Sequence, residues 1–442
     1  MTKVPNAAST RGRYFLYMRE YRLRCTGCGG TFPDDGVRLD CPNDHPAALL
    51  RTEYDQKAFV VTPEPSIRRY SAWLPRGREI ATAAQTAVYQ STGLAKRLGL
   101  DQLWISFNGW WPDRGAALRT ATFKELEAYA VLTRIGPDEN RTLVVASAGN
   151  TAAAFADACT VNDVPLVVIV PANAFERVAA IARIGPTVKI VAIEGAEYED
   201  AIAFSRQLAA DDEFVLEGGV RNVARRDGLG VVMLAAVEAI GAIPDYYFQA
   251  VGSAAGALGV REAALRLIGD GRFGRHVPQL MLAQNVPFTP LFDAWSANAP
   301  VLIERSVADA RRQIAQIGAQ VLSNQTPPYA IAGGVREALG ESSGAVFAIE
   351  NSEMVDAMVL FAESEGIDID PEAGIATAAL IRAVAGGSLE RDRRILLNVT
   401  GGGRAGRVRE THDAQPSLLL QRDEVAAIGN EAVRSVLFSS HL

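Results

Sequence analysis

Lysine is nearly missing from this 442-residue chain. Of its 44 basic residues only Lys3, Lys57, Lys96, Lys124 and Lys189 are lysine. Arginine supplies positive charge everywhere else, so chemistry that needs a primary amine has five candidates. Cysteine and histidine are also scarce, at four each. So few cysteines in so long a chain exclude a disulfide framework. His45, His276, His412 and His441 stand in no nucleophile-elbow context, which leaves a serine triad without support. Excess positive charge is lacking too: the net charge is −7, so an electrostatic nucleic-acid binder is excluded. No apolar run reaches membrane-spanning length. The opening "MTKVPNAASTRGRYF" has no apolar core of the kind a signal peptide needs, and the expected location is the cytoplasm.

What is present reads as a soluble enzyme of two or three domains. Residues 1–60 form a distinct ribbon-like region, in which "CTGC" is followed by "CPNDH". Cys25, Cys28, Cys41 and His45 could offer zinc three thiolates and an imidazole. The usual second CxxC is absent, so a ribbon held by packing alone is the alternative. Cys159, in "FADACTV", reads as buried filler. From about residue 85, apolar strands alternate with helices: "TLVVASAGN", "TAAAFADACTV", "VPLVVIVP", "AFERVAAIARIG", "TVKIVAIEG". The rhythm returns in "YYFQAVG", "QLMLAQN", "GAVFAIE" and "RILLNVTGGG". Such alternation predicts an α/β fold with two open, mostly parallel sheets, and ligands at the carboxyl edges of the strands.

Four lysines have ordinary places: a tail (Lys3), a polar connector (Lys57), the polar face of a helix (Lys96) and a strand (Lys189). Lys124, in "RTATFKELEAYAVL", opens an amphipathic helix instead. The positive end of a helix dipole disfavours an ammonium and keeps an amine available for attack on an aldehyde. A snorkelling surface lysine is the competing explanation. Three strand-to-turn junctions, "SAGNT" at 147–151, "GSAAG" at 252–256 and "TGGG" at 400–403, expose backbone N–H groups suited to anions. Each alone also reads as an ordinary βα turn. An aldehyde cofactor with a phosphate would use the lysine at one end and such a loop at the other, which describes pyridoxal phosphate. "GDGRFG" at 269–274 has G-x-G-x-x-G spacing, but a helix precedes it and it reads as a turn.

These residues resemble the threonine synthase group of pyridoxal-phosphate enzymes. "TATFKE" is similar to the group's "TGSFKD", and "SAGNTAAA" to its "SSGNTAAA". Within the group, "ISFNGWWPDRGA" followed by "TFKELEA", with "PSIRRYSAWLP" upstream, resembles the cysteate synthases. The resemblance implies the tryptophan-synthase-β-like fold, fold type II. Its expected units are 61–120 with 236–442 as the large cofactor-binding domain and 121–235 as the small one. It further implies that Lys124 carries the cofactor, that Asn150 bonds its phenolic oxygen and that Thr400 faces its ring nitrogen. Gly252, Ser253, Ala254, Ala255 and Gly256 would hold its phosphate. Ser147, Ala148, Gly149 and Thr151 would receive the substrate carboxylate, with Thr120, Arg119 and Arg221 also at the substrate. Arg114, Arg225 and Arg226 are further candidates for anionic groups. The implied reaction is β-replacement on O-phosphoserine, with phosphate leaving and sulfite adding to give cysteate. A threonine synthase acting on O-phosphohomoserine, a different nucleophile, and a catalytically silent relative are the alternatives. A homo-oligomer, dimer or trimer, is expected.

Overall fold

The computed structural model describes residues 19–147, 149–407 and 415–438. Lys3, Ala148, His412 and His441 lie outside them. Two open sheets dominate. In the six-stranded sheet the order is Ala345–Ile349, Gln279–Asn285, Tyr246–Ala250, Arg394–Val399, Gln102–Phe107, Ala87–Gln90. All neighbours are parallel except the last strand, which pairs antiparallel with Gln102–Phe107. The five-stranded sheet is fully parallel, in the order Phe214–Leu216, Thr142–Ala146, Leu166–Pro171, Val188–Glu194, Leu418–Gln421. The central strands read as unbroken apolar runs because helices cover both faces. All six residues of Leu166–Pro171 are buried.

Both sheets reverse their winding, the larger once and the smaller twice, since its last strand, Leu418–Gln421, lies at the edge opposite Phe214–Leu216. In the larger sheet the reversal falls between Tyr246–Ala250 and Arg394–Val399, and in the smaller the first falls between Thr142–Ala146 and Phe214–Leu216. At a reversal the loops leaving neighbouring strands diverge and open a crevice at their carboxyl ends. The loops leaving three of these four strands are those holding Gly252–Gly256, Thr400 and Ser147–Gly149.

Two expectations are corrected. The large unit was expected to run to residue 442, but Leu418–Gln421 pairs in parallel with Val188–Glu194 and extends the smaller sheet, with the helix Val425–Phe438 packed beside it. The short strand "LLLQ" carries no sign of which sheet it will join. The N-terminal region, read as distinct, shares the main core. Its antiparallel sheet of Thr31–Phe32, Tyr21–Cys25 and Leu50–Tyr54 buries Tyr21, Leu23 and Leu50 there.

The lysine helix, Lys124–Arg134, was expected to be amphipathic but is buried on nearly every side. A helix apolar all round belongs inside a protein. Here Glu125, Glu127 and Arg134 are buried with the apolar residues, and each has polar partners. The neighbouring helix Val223–Ile240 approaches so closely that a Cβ on Gly228 would meet the Leu126 carbonyl oxygen; only glycine allows that crossing.

Candidate active site

The chain at Lys124 is stitched to the end of a central strand. The Phe123 N–H donates to the Thr400 carbonyl at 3.0 Å, and the Thr122 hydroxyl donates to the same oxygen at 3.2 Å. Lys124 Nζ then reaches forward along its own helix and donates to Glu127 Oε2 at 3.2 Å. Glu127 is fully buried and serves three partners. Thr151 Oγ1 donates to its other oxygen at 2.9 Å, and Arg225 Nη1 stands 3.0 Å from that oxygen. Arg225 in turn pairs with buried Glu217, with Nε 2.8 Å from Oε1. Buried charge is tolerated only when paired and hydrogen-bonded, and this alternating chain satisfies both conditions.

One cavity collects Lys124, Ser147, Gly149, Asn150, Thr151, Gly252, Ser253, Ala254, Ala255, Gly256 and Thr400. Gly252 to Ala254 lead into the helix Ala255–Asp270, so the loop's N–H groups lie at the positive end of a 16-residue helix. Ala254 sits there at φ 59°, in the left-handed region. A side chain at such a position costs about 1–2 kcal/mol, so this turn is strained where glycine would relax it. Gly256 has a steric reason as well: a Cβ there would come within 2.7 Å of the Gln249 side chain. Thr400 Oγ1 is buried without a hydrogen-bond partner among the described residues. An orphaned hydroxyl beside an anion loop and an amine fits a phosphorylated heteroaromatic cofactor whose ring nitrogen needs a neighbour.

Three expected substrate residues do not join this cavity. Thr120 is fully buried, and its hydroxyl is turned to Glu125 at 2.7 Å. Arg119 Nε is held 2.8 Å from buried Asp157. Arg221 pairs with Asp40 at 2.7 Å, facing a different cavity behind the loop. Of the other arginine candidates, Arg114 lies over the Tyr89 and Trp111 rings, and Arg226 is buried against Glu262. Only Arg225 lines the cavity.

Glu127 and Glu372 went unread. Glu127 could have been found, since it lies three positions after Lys124 and therefore on the same helix face. Glu372, at the start of the helix Pro371–Ala385, accepts from Asn150 Nδ2 at 2.7 Å. Burial, followed by the charge of Asp370, pushes its carboxyl up to about 7. Nothing in "DPEAG" announces that contact.

Burial likewise pushes the Glu125 carboxyl up to about 7, although the Thr120 N–H and hydroxyl both donate to it. Below about 4.5 the group is protonated in folded and unfolded chains alike. Between about 4.5 and 7 the unfolded chain ionises while the folded chain holds its proton, so folding stability falls through that window. Relative to Glu125→Gln, the wild type should therefore lose about 3 kcal/mol as the pH rises from about 4.5 to 7.5. Urea unfolding of both proteins across that range measures it. A pH-independent difference would show that Glu125 ionises in the fold.

In the N-terminal sheet, the ligand atoms of Cys25, Cys28, Cys41 and His45 all lie within 4.8 Å of one another. Cys25 Sγ is 3.3 Å from His45 Nε2, and Cys28 Sγ is 3.7 Å from Cys41 Sγ.

Comparison with known proteins agrees with this geometry. Residues 81–401 match the family described as pyridoxal-phosphate dependent enzyme, the class that the paired sheets and lysine cavity define. Within that class, the chain is 45% identical to the cysteate synthase of Methanosphaerula palustris over 90% of its length and 93% of the relative's. It is 42% identical to that of Methanosarcina barkeri, covering 87% and 92%. The chain belongs to the cysteate synthase family. Solved structures share the fold at low identity. Maize serine racemase matches with TM-score 0.52 and 17% identity over 72% of this chain and 88% of that one. Threonine deaminase isoform 2 of Solanum lycopersicum matches with TM-score 0.53 and 15% identity over 72% and 83%. The protein is a pyridoxal-phosphate enzyme of fold type II. Among the described residues no helix is long and apolar enough to cross a membrane.

Proposed function

We propose that this chain catalyses β-replacement on O-phospho-L-serine, releasing phosphate and adding sulfite to give L-cysteate. The observation that carries the reading is the single cavity uniting Lys124, the Gly252–Gly256 loop, Asn150 and Thr400, in a chain whose near relatives are named cysteate synthase. Pyridoxal phosphate, when bound, supplies an aldehyde and an electron-withdrawing ring. Lys124 would hold it through its amine, the N–H groups of Gly252–Gly256 through its phosphate, and the Thr400 hydroxyl beside its ring nitrogen. A threonine there, in place of a carboxylate, leaves that nitrogen without a proton-stabilising charge, which suits elimination of a good leaving group.

The protein's own groups then divide the work. Lys124 Nζ, steadied by Glu127, takes the proton from the substrate's α-carbon and returns one after the nucleophile has added. Asn150 keeps its Nδ2 on Glu372 with one N–H and has the other for the cofactor's phenolic oxygen. The backbone of Ser147–Thr151, at the start of the helix Asn150–Val161, receives the substrate carboxylate. Arg225 compensates Glu127 and Glu217 and fixes the wall behind the amine. We assign the protein to the cytoplasm as a homo-oligomer. A structural zinc on Cys25, Cys28, Cys41 and His45 is part of the same reading, and purified protein should carry about one zinc per chain by metal analysis. Full-length protein without metal that unfolds no more easily after chelation would remove it.

The test is incubation of the holoenzyme with O-phosphoserine and sulfite, with phosphate and cysteate both quantified. Equal yields of the two are expected. Threonine formed from O-phosphohomoserine without sulfite would overturn the assignment, and product formation with sulfide or thiosulfate in preference to sulfite would reassign the nucleophile.

A further inference from the structure

A second cavity, of about 560 Å³, adjoins the first, and Asn150, Val321 and Glu372 line both. Its wall carries Arg177, Arg404 and Arg407. Arg404 and Arg407 are not equally compensated. Arg404 is clamped on Asp370 by two bonds of 2.6 Å. Arg407 is half-buried, and its bond goes to the Ile181 carbonyl at 2.6 Å. No carboxylate lies within ion-pair distance of Arg407 among the described residues. Burial, followed by the charge of Arg119 and then that of Arg404, holds its guanidinium below the usual arginine value, against the opposing pull of Glu125 and Asp157. Arg177 stands on the helix Ala172–Ala179, with Nη1 3.7 Å from where a Cβ on Gly149 would be, so it reaches the turn that opens onto the first cavity. The chamber's two acids are engaged elsewhere than on Arg407. Asp370 is taken by Arg404, and Glu372 accepts from Asn150 with its carboxyl near half-protonation at neutral pH.

We propose that this outer chamber binds a small multiply charged oxyanion, with Arg407 as its main cation and Arg177 closing the side towards the turn. The proposal rests on the β-replacement reading for its two sources of such an anion, the phosphate ester of the amino acid and the incoming sulfite. The like charges of Arg119 and Arg404 act on half-buried Arg407, and an oxyanion relieves that repulsion while accepting charge-assisted hydrogen bonds. The shared neck at Asn150 and Glu372 places the anion beside the reacting carbon's compartment and apart from the loop that holds the cofactor phosphate.

The experiment is equilibrium dialysis of labelled inorganic phosphate against holoenzyme, in which the cofactor already fills the Gly252–Gly256 loop. Wild type is compared with Arg407→Gln and with the exposed Arg177→Gln. Loss of one charged hydrogen-bonding partner should weaken phosphate binding about tenfold or more in each. Steady-state kinetics then separates the sources: a raised KM for O-phosphoserine points to the ester, and one for sulfite to the nucleophile. Equal phosphate affinity in wild type and both variants overturns the proposal. Because dialysis needs no turnover, weakened phosphate binding in a protein inactive on O-phosphoserine would keep the chamber and discard the reaction.

Discussion

Lys124→Ala should reduce phosphate release from O-phosphoserine by about 10⁴-fold or more, because in the proposed reaction one amine both holds the cofactor and moves the α-proton. The other described lysines cannot substitute. Lys57 donates to the Tyr54 carbonyl in the N-terminal region, Lys96 lies in the short helix Gly93–Leu98, and Lys189 is in the strand Val188–Glu194. The variant should nevertheless fold. Glu127 keeps Arg225 and Thr151 when the lysine is gone, so its charge stays compensated, and the stability change should be about 1 kcal/mol. Two measurements separate catalysis from folding. The visible absorbance of cofactor-supplemented wild type should vanish in the variant, while the urea midpoint stays within a few tenths molar. A variant that keeps the band and activity within about tenfold would place the chemistry on another group. A wild type that never acquires the band would end the catalytic reading.

Lys124, which the structure sets in one cavity with the small-residue turns, stood out in the sequence because lysine is scarce and because its place at a helix start conflicts with the dipole. That argument stopped at the backbone. The structure sets Glu127 one turn away, so the amine's surroundings are decided by the Lys124–Glu127–Arg225–Glu217 chain as well as by the helix terminus. The small-residue turns that meet in that cavity were visible for a related reason. Strand, small-residue turn and helix form a local pattern, and the reversal of strand order then brings distant turns to one place. Arg119, Thr120 and Arg221 were misplaced because a polar side chain turns towards its best partner. Those partners, Asp157, Glu125 and Asp40, are fixed by packing and are not marked by any spacing. The same holds for Leu418–Gln421, whose four residues carry no mark of the sheet edge they join, beside Val188–Glu194.

The N-terminal region is bound into the catalytic scaffold, and Asp34→Ala should show it by lowering stability by about 3–5 kcal/mol. The lysine helix begins at Lys124 and ends at Arg134, whose side chain is fully buried. Arg134 reaches Asp34 through Nε at 2.9 Å and Nη2 at 2.8 Å, with Asn222 Oδ1 and the Arg38 carbonyl completing its partners. Tyr21 donates to the same carboxylate at 2.6 Å. Despite burial, the arginine beside it holds the Asp34 carboxyl below the usual carboxylate range, so the pair stabilises the fold above that range and the contribution fades as the pH falls through the depressed value. Alanine at 34 would leave a guanidinium in the core with half its partners gone, which is the costly case, whereas removing both charges is not. The double variant Asp34→Ala, Arg134→Met should therefore recover part of the loss in urea unfolding at pH 7. If the single variant loses less than about 1 kcal/mol, water or another acceptor has replaced Asp34, and the N-terminal sheet is then packed against the lysine helix without being locked to it.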